Sequence, residues 1–368
     1  MAEPRCPYFG QCGGCSFQHT DYADQVENKR RQLVNATEYE NIEVHTGSEY
    51  NYRNRMDMVF HPGGIGLRRK GSWHQMVDIE RCEIATKKIN TMVSEVRGFF
   101  RDVDWFHVRK NSGTFRYAVM RSPGQDSSLS IVLNADSTRL LPARDMITEF
   151  AENCSAANVV VTYVPHKTDM SISEDYFVVK GSDELNCEIL GRKFSFNAQG
   201  FFQNNDEMSA RLQAYVRELL GRHDTAGNHL VDLYGGVGTF GIINSDKFEK
   251  VTVIESFPGS VASARKNIEA NGVSNVSALE LDAKRLKNAE LPGRLTVVTD
   301  PPRSGMNPKT ITELCRLAPE MIVYVSCNVK QLAADLKKFS DYRIASAALF
   351  DLFPHTPHSE AVVELVRE

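Results

Sequence analysis

From residue 229 onward the chain alternates short β-rich runs with helical patterns, and this alternation limits its possible folds more than any other feature. "HLVDLY" and "KVTVIE" are β-rich, and "GTFGIINSD" between them has room for a helical turn or two. "SVASARKNIEANG" opens on Ser and stops on Asn-Gly, as a helix does. "SALELD", "RLTVVTD" and "MIVYVSC" supply further strands, with helical patterns at "PKTITELCRLA" and "KQLAADLKKFS". Strands joined through helices pair in parallel, and the resulting sheet is covered on both faces.

Upstream the texture is different. "DMVFHP", "FRYAVMRS", "LSIVLNA", "NVVVTYVP" and "YFVVKG" are β-rich pieces separated by turn residues and one or two helices, which predicts an α+β region built largely from antiparallel strands. A chain of 368 residues exceeds the usual size of one compact domain. The expected division is a Cys-rich cap with a charged helix over residues 1–49, a central α+β domain over 50–195, and an α/β domain over 196–368.

No run of 18 apolar residues is present and no signal-peptide pattern opens the chain, so a cytoplasmic protein is expected. The formal net charge of -4 is uninformative, because a basic face can be gathered locally. Arg53, Arg55, Arg68, Arg69, Lys70 and Arg81 form such a gathering, although a solvated sheet surface is its ordinary alternative. Eight cysteines, unevenly spaced, suggest metal ligation or catalysis rather than a secreted disulfide framework.

Three strand ends carry chemistry. "VDLYGGVGTF" runs a strand into a Gly-rich turn, and Glu255 closes the next strand; bare backbone and an acidic group for ribose hydroxyls imply a nucleoside-containing cofactor. "VVTDPPRSG" places Asp300 and a stiff proline pair at another strand end, with carbonyls free to face a planar substrate and Arg303 suited to an anionic one. "MIVYVSCN" ends a core strand on Cys327. A buried, inert thiol is the ordinary reading, but polar Ser326 and Asn328 beside it favour a reactive one. Carbon 5 of a pyrimidine accepts a methyl group only after a thiolate has added to carbon 6, and the adduct must then lose its carbon-5 proton to a general base. Glu360, after the His- and Pro-rich turn "FPHTPHS", is the candidate base; His355 and His358 compete for that role or orient it.

With "FFQNN", "DLYGGVGTF", "DPPRSG", "SCN" and "FPHTPHSE" in this order, the sequence resembles the S-adenosylmethionine-dependent RNA uracil-5 methyltransferases, which make 5-methyluridine in 23S ribosomal RNA and tRNA. The resemblance implies a Rossmann-like methyltransferase domain with Cys327 as nucleophile and Glu360 as proton acceptor. It places Gln203, Tyr234, Glu255 and Asp300 at cofactor-contacting positions. Gly235 and Thr239 stand where the family often has Cys and Asn, and Pro357 stands where it has a histidine.

Cys6, Cys12 and Cys15 form C-x5-C-x2-C, with Cys82 of "IERCEIA" as a distant fourth ligand; spacing alone allows zinc or an iron–sulfur cluster. The resemblance implies a 4Fe-4S cluster, stapling the cap to the strand region. Cys154, Cys187 and Cys315 are expected to be bystanders. Many relatives begin with a β-barrel RNA-binding domain that this chain lacks ahead of its cysteines, which leads to a preference for 23S rRNA over tRNA. RNA contact is then expected from "NYRNRMDM" and "LRRKGSW", with Arg53 and Arg55 on phosphate or base. The partner is RNA, with no membrane and no DNA, and the protein is expected to be a monomer. Rival readings are an amino- or amide-nitrogen methyltransferase, which needs no thiol, and a non-catalytic iron–sulfur RNA-binding protein.

Overall fold

The computed structural model describes residues 2–368, which form two compact units. The first comprises the chain up to Tyr22, Ser48–Cys187 and Asn197–Asp206; the second comprises Ala23–Gly47, Glu188–Phe196 and Glu207–Glu368.

The second unit holds an eight-stranded sheet in the order Ile42–His45, Tyr342–Phe350, Glu360–Arg367, Met321–Ser326, Leu295–Thr299, His229–Leu233, Lys250–Glu255, Val276–Glu280. All neighbours are parallel except that Glu360–Arg367 runs antiparallel to both of its partners. The strand His229–Leu233 has the next strand in sequence on one side and Leu295–Thr299 on the other, which opens a crevice at its carboxyl end. The central strands are buried along their whole length, as uninterrupted apolar runs such as "LTVVT" require.

The first unit carries a seven-stranded sheet in which only Ser128–Asn134 and Asn158–Val164 pair in parallel. One core forms around Met58, Phe60, Ile89, Phe100, Ile131 and Phe150, with the helices Lys87–Phe99 and Leu140–Asn153 contributing. Among the described residues no helix is long and apolar enough to cross a membrane.

The units divide the chain differently from the sequence-based boundaries. Residues 23–47, expected with the cap, add most of the helix Tyr22–Thr37 and an edge strand to the second unit. The reason is a polar anchor that no periodicity discloses. Lys29 and Asp351, 3% and 0% exposed, form an ion pair at 2.6 Å, and Lys29 also donates to the Phe353 carbonyl at 3.1 Å. Burial depresses the Lys29 pKa while Asp351 opposes the shift. Conversely, Asn197–Asp206, expected in the C-terminal domain, belongs to the first unit, where Arg121 donates to the Gly200 carbonyl and Asn54 to the Gln203 carbonyl and the Asp206 side chain.

Candidate active site

Parallel register sets Leu233 beside Ile254 and Thr299, so the residues that follow, Tyr234, Glu255 and Asp300, fall in one row at the carboxyl edge of the sheet. The turn after Tyr234 is built for close approach of a ligand. Tyr234 itself has φ 60°, Gly236 φ 55° and Gly238 φ 87°, and Gly238 caps the short helix Thr239–Ile243. A Cβ on Gly235 would lie 2.5 Å from Val253 Cγ1 and 2.9 Å from the Asp232 carbonyl oxygen, which explains why this chain has no side chain there. Glu255 accepts from the backbone N–H of Gly236 at 3.1 Å, and from those of Ser256 at 2.6 Å and Phe257 at 2.8 Å, so its carboxylate is fixed at the strand tip. Beneath the turn, buried Asp232 accepts from Gly241 N–H at 2.8 Å. Burial, then the Asp300 and Glu255 charges, push its pKa up to about 7. Bare glycine backbone beside a strand-end carboxylate fits a nucleoside-bearing cofactor. Thr239, a departure from the family pattern, receives a hydrogen bond from Gln213 at 3.3 Å.

The antiparallel pair bears on the two expected reactive groups, Cys327 and Glu360. Met321–Ser326 ends on the Ser326–Ala361 pair, Glu360 opens the antiparallel neighbour one residue before Ala361, and Cys327 follows Ser326, close enough for the Glu360 charge to act on its thiol. Residues far apart in sequence therefore meet because one strand ends where its antiparallel neighbour begins. Glu360 is 3% exposed, and its Oε2 has no hydrogen-bond partner among the described residues. Burial raises its pKa well above the ordinary carboxylate range, and the Asp300 charge adds to this. Asp300 is likewise raised by desolvation. The Cys327 thiol is pushed up to about 11 by burial, then by the Glu360 and Asp300 carboxylates, with Arg303 acting in the opposite sense.

This ordering has a measurable consequence. Below a pKa of about 11 the thiolate fraction grows tenfold per pH unit, so alkylation of Cys327 by iodoacetamide should accelerate steadily from pH 7 to 9. Removing a neighbouring anion stabilises the thiolate, so Glu360→Gln should lower the alkylation midpoint and speed labelling at fixed pH. Mass spectrometry of the Cys327 peptide reads the rate; an unshifted midpoint in the variant would show that the carboxyl group does not act on the sulfur.

Two supports are invisible in the sequence. Asp335, fully buried, accepts from Tyr324 O–H at 2.8 Å, Met306 N–H at 3.0 Å and Lys338 Nζ at 3.1 Å, pinning the end of the proline-pair loop. Gly305, at φ 77°, passes so near Gln331 and Asp335 that a Cβ would clash. Asn328 caps the helix Val329–Leu336 and donates from Nδ2 to the Arg303 carbonyl at 2.9 Å, tying the thiol's loop to the Asp300 loop. The second support is the turn before Glu360. His355 adopts φ 65°, donates its N–H to Gln25 Oε1 at 3.0 Å, and has Nδ1 3.2 Å from Gln25 Nε2. Burial lowers its pKa to about 4, so it is a neutral structural imidazole. His358 Nδ1 lies 3.5 Å from Arg303, and Pro357 is exposed.

In the first unit, Gln203 lies in the segment 197–206, its carbonyl held by Asn54. Arg53 donates to the Arg55 carbonyl, and Arg55 is paired with Asp57 at 2.8 and 3.0 Å, so both expected RNA-gripping arginines are engaged locally. Cys6, Cys12, Cys15 and Cys82 are partly buried and close enough to influence one another's ionisation. Among the described residues no group of three or more His, Cys, Asp or Glu is placed to hold a metal ion, so the expected iron–sulfur cap is not displayed as a formed metal site. Cys154 is buried, and Cys187 and Cys315 are partly buried.

Residues 21–368 match the family model of tRNA (uracil-5-)-methyltransferases. The chain belongs to this family. It is an RNA (uracil-5-)-methyltransferase dependent on S-adenosylmethionine. The tRNA (uracil(54)-C(5))-methyltransferase of Pyrococcus horikoshii is 33% identical over 98% of this chain and 85% of its own length. Its Pyrococcus abyssi counterpart is 32% identical over 99% and 86%. The crystal structure of the Pyrococcus abyssi enzyme in complex with S-adenosyl-L-homocysteine superposes with a TM-score of 0.81 at 29% identity, covering 96% of this chain and 86% of that one.

Proposed function

We propose that this enzyme methylates C5 of one uridine in tRNA, at the position corresponding to uracil 54 of its Pyrococcus relatives, through a covalent adduct on Cys327. The observation that carries the reading is that the Cys327 thiol, directly after the strand Met321–Ser326, lies within the electrostatic reach of the buried Glu360 carboxyl and of Asp300. The Cys327 thiolate adds to C6 of the uracil, and the C5–C6 π electrons move into an enolate with density on C5. Tyr234, Glu255 and Asp300 are the residues that would hold S-adenosylmethionine, with Gln203 assigned to it by the resemblance alone; bound there it would supply an electrophilic methyl group to C5, the electrons of the broken S–C bond leaving with S-adenosylhomocysteine. Glu360 then takes the C5 proton; the C–H electrons re-form the double bond as sulfur leaves C6, and the thiolate is regenerated. A carboxyl whose pKa burial has raised is a stronger base than an exposed one, which suits this abstraction.

The sequence alone leads to 23S rRNA. Relatives from two Pyrococcus species whose names specify a substrate are both named for tRNA, and this moves the preference to tRNA. A loop nucleotide is the favoured target, because unstacking the base costs a few kcal/mol even before chemistry. The test is incubation with methyl-labelled cofactor and either transcribed tRNA or 23S rRNA, followed by mass mapping. Label at uracil 54, lost when that base is replaced by cytosine, is the expected result; label confined to 23S rRNA would overturn the substrate assignment.

Cys6, Cys12, Cys15 and Cys82 are the residues that would hold a 4Fe-4S cluster. Among the described residues these four thiols are not placed as a metal-holding group, so the assignment rests on their spacing in the sequence and on the resemblance. The cluster's role would be to fasten the cap, since methyl transfer has no redox step. The enzyme acts as a cytoplasmic monomer in this reading.

A further inference from the structure

Both tryptophans of the chain lie in two stretches of the first unit that contain no acidic residue, "LRRKGSWHQM" (67–76) and "WFHVRKNSG" (105–113). The first is the connection between the strands Gly64–Arg68 and Met76–Asp78. Its Trp73 is 58% exposed, with the His74 ring edge-on to it at 5.3 Å. An indole left this open on a firmly held turn forfeits the burial that usually offsets its exposure. The turn is firmly held. Lys70 N–H donates to the Gln11 carbonyl at 2.7 Å, Arg69 N–H to the Gln75 carbonyl at 2.8 Å, and Gly13 N–H to the Arg68 carbonyl at 3.0 Å. The second stretch joins it through Arg109, whose Nη2 lies 2.6 Å from His74 Nε2, and behind Arg109 Trp105 stacks on His107 with centroids 5.2 Å apart. Arg69, Lys70, Arg109 and Lys110 are exposed, and Arg109 reaches His74 beside Trp73, whereas Arg68 is already paired with Asp169.

We propose that this turn is a second RNA-contacting surface, on which Trp73 stacks against an unpaired base of the substrate RNA while Arg69, Lys70, Arg109 and Lys110 hold its flanking phosphates. The assignment rests on the RNA reading above and adds to it a site distinct from the residues that touch the target uracil. A rigid aromatic face beside exposed cations, with the neighbouring Asp169 taken up by Arg68, suits single-stranded nucleic acid, since every base offers a π-face and the phosphates alternate with it.

The test uses the full chain with Cys327→Ala, so that binding is read without turnover, and tRNA transcript as probe. Trp73→Ala should weaken RNA binding roughly tenfold by fluorescence anisotropy, Trp73→Phe should restore most of it, and cofactor affinity should be unchanged. In the active enzyme the same substitution should raise KM for tRNA and spare kcat. Arg69→Gln with Lys70→Gln should flatten the slope of log affinity against log salt by roughly 0.7 for each phosphate that no longer meets a cation. If Trp73→Ala leaves the RNA Kd within about twofold of its parent, the surface serves something else, such as a protein, and the proposal falls while the methyltransferase reading stands. If the parent binds no RNA at all, both fall.

Discussion

Cys327→Ala should lower methyl transfer by roughly four orders of magnitude or more, while S-adenosylmethionine still binds. The size follows from what is removed. Without sulfur on C6, C5 of uracil carries too little electron density to accept a methyl group, and Cys327 is the thiol on which the Glu360 charge acts. The substitution should be mild for the fold, because Cys327 is only partly buried and its sulfur is not among the core clusters. Calorimetric titration with the cofactor checks that the Gly-rich turn and Glu255 are intact. RNA containing 5-fluorouracil supplies an independent readout: fluorine cannot leave C5 as a proton, so the wild-type chain should remain bonded to the RNA on a denaturing gel and the alanine variant should not. Retained turnover in Cys327→Ala would favour direct transfer to a nitrogen, the rival chemistry that needs the proline pair but no thiol.

Much of this site is legible because strand ends are legible. A parallel sheet presents its carboxyl edge to the ligand, so a residue read as closing a strand is also read as facing the crevice, and Tyr234, Glu255 and Asp300 fall in one row for that reason. Cys327 can be singled out because a fully buried strand, Met321–Ser326, ends directly before it. The proximity of Glu360 does not follow from spacing, since it depends on an antiparallel insertion whose register is a tertiary fact. The same holds for the supports. Lys29 sits on a helix that reads as a solvated charged one, yet it is buried against Asp351, more than 300 positions later in the sequence. Asp335 lies in a stretch read only as helical, yet it accepts from Met306 N–H and pins the end of the proline-pair loop. Buried polar anchors break the binary pattern on which sequence reading depends, and they gather where loops must be held for function. Gln203 shows the opposite failure: its segment reads as continuous with the C-terminal domain, but Asn54 and Arg121 tie it into the first unit.

Glu360→Gln should stop the reaction after methylation and before release. The amide keeps the shape and burial of the side chain but cannot take the C5 proton, so sulfur cannot be expelled from C6 and the methylated RNA should stay attached to Cys327. The expected signature is a protein–RNA conjugate that forms with ordinary uridine, needs no fluorinated base, and reaches a stoichiometry near one while multiple turnover falls by roughly 10²–10⁴. This outcome also separates Glu360 from its neighbours. His355 is buried and held by Gln25, and burial lowers its pKa to about 4, so its imidazole is a weak base that serves as a structural prop rather than as the acceptor. If His358 were the base, His358→Ala would trap the conjugate and Glu360→Gln would turn over. Because an ionised Glu360 raises the thiol's pKa, the glutamine variant should form its adduct at least as fast as wild type wherever that carboxyl is charged, even though it releases product far more slowly. A variant that is slow in both phases would place Glu360 in substrate binding instead. Rapid attachment followed by arrested release is the behaviour that only a proton acceptor at this position produces.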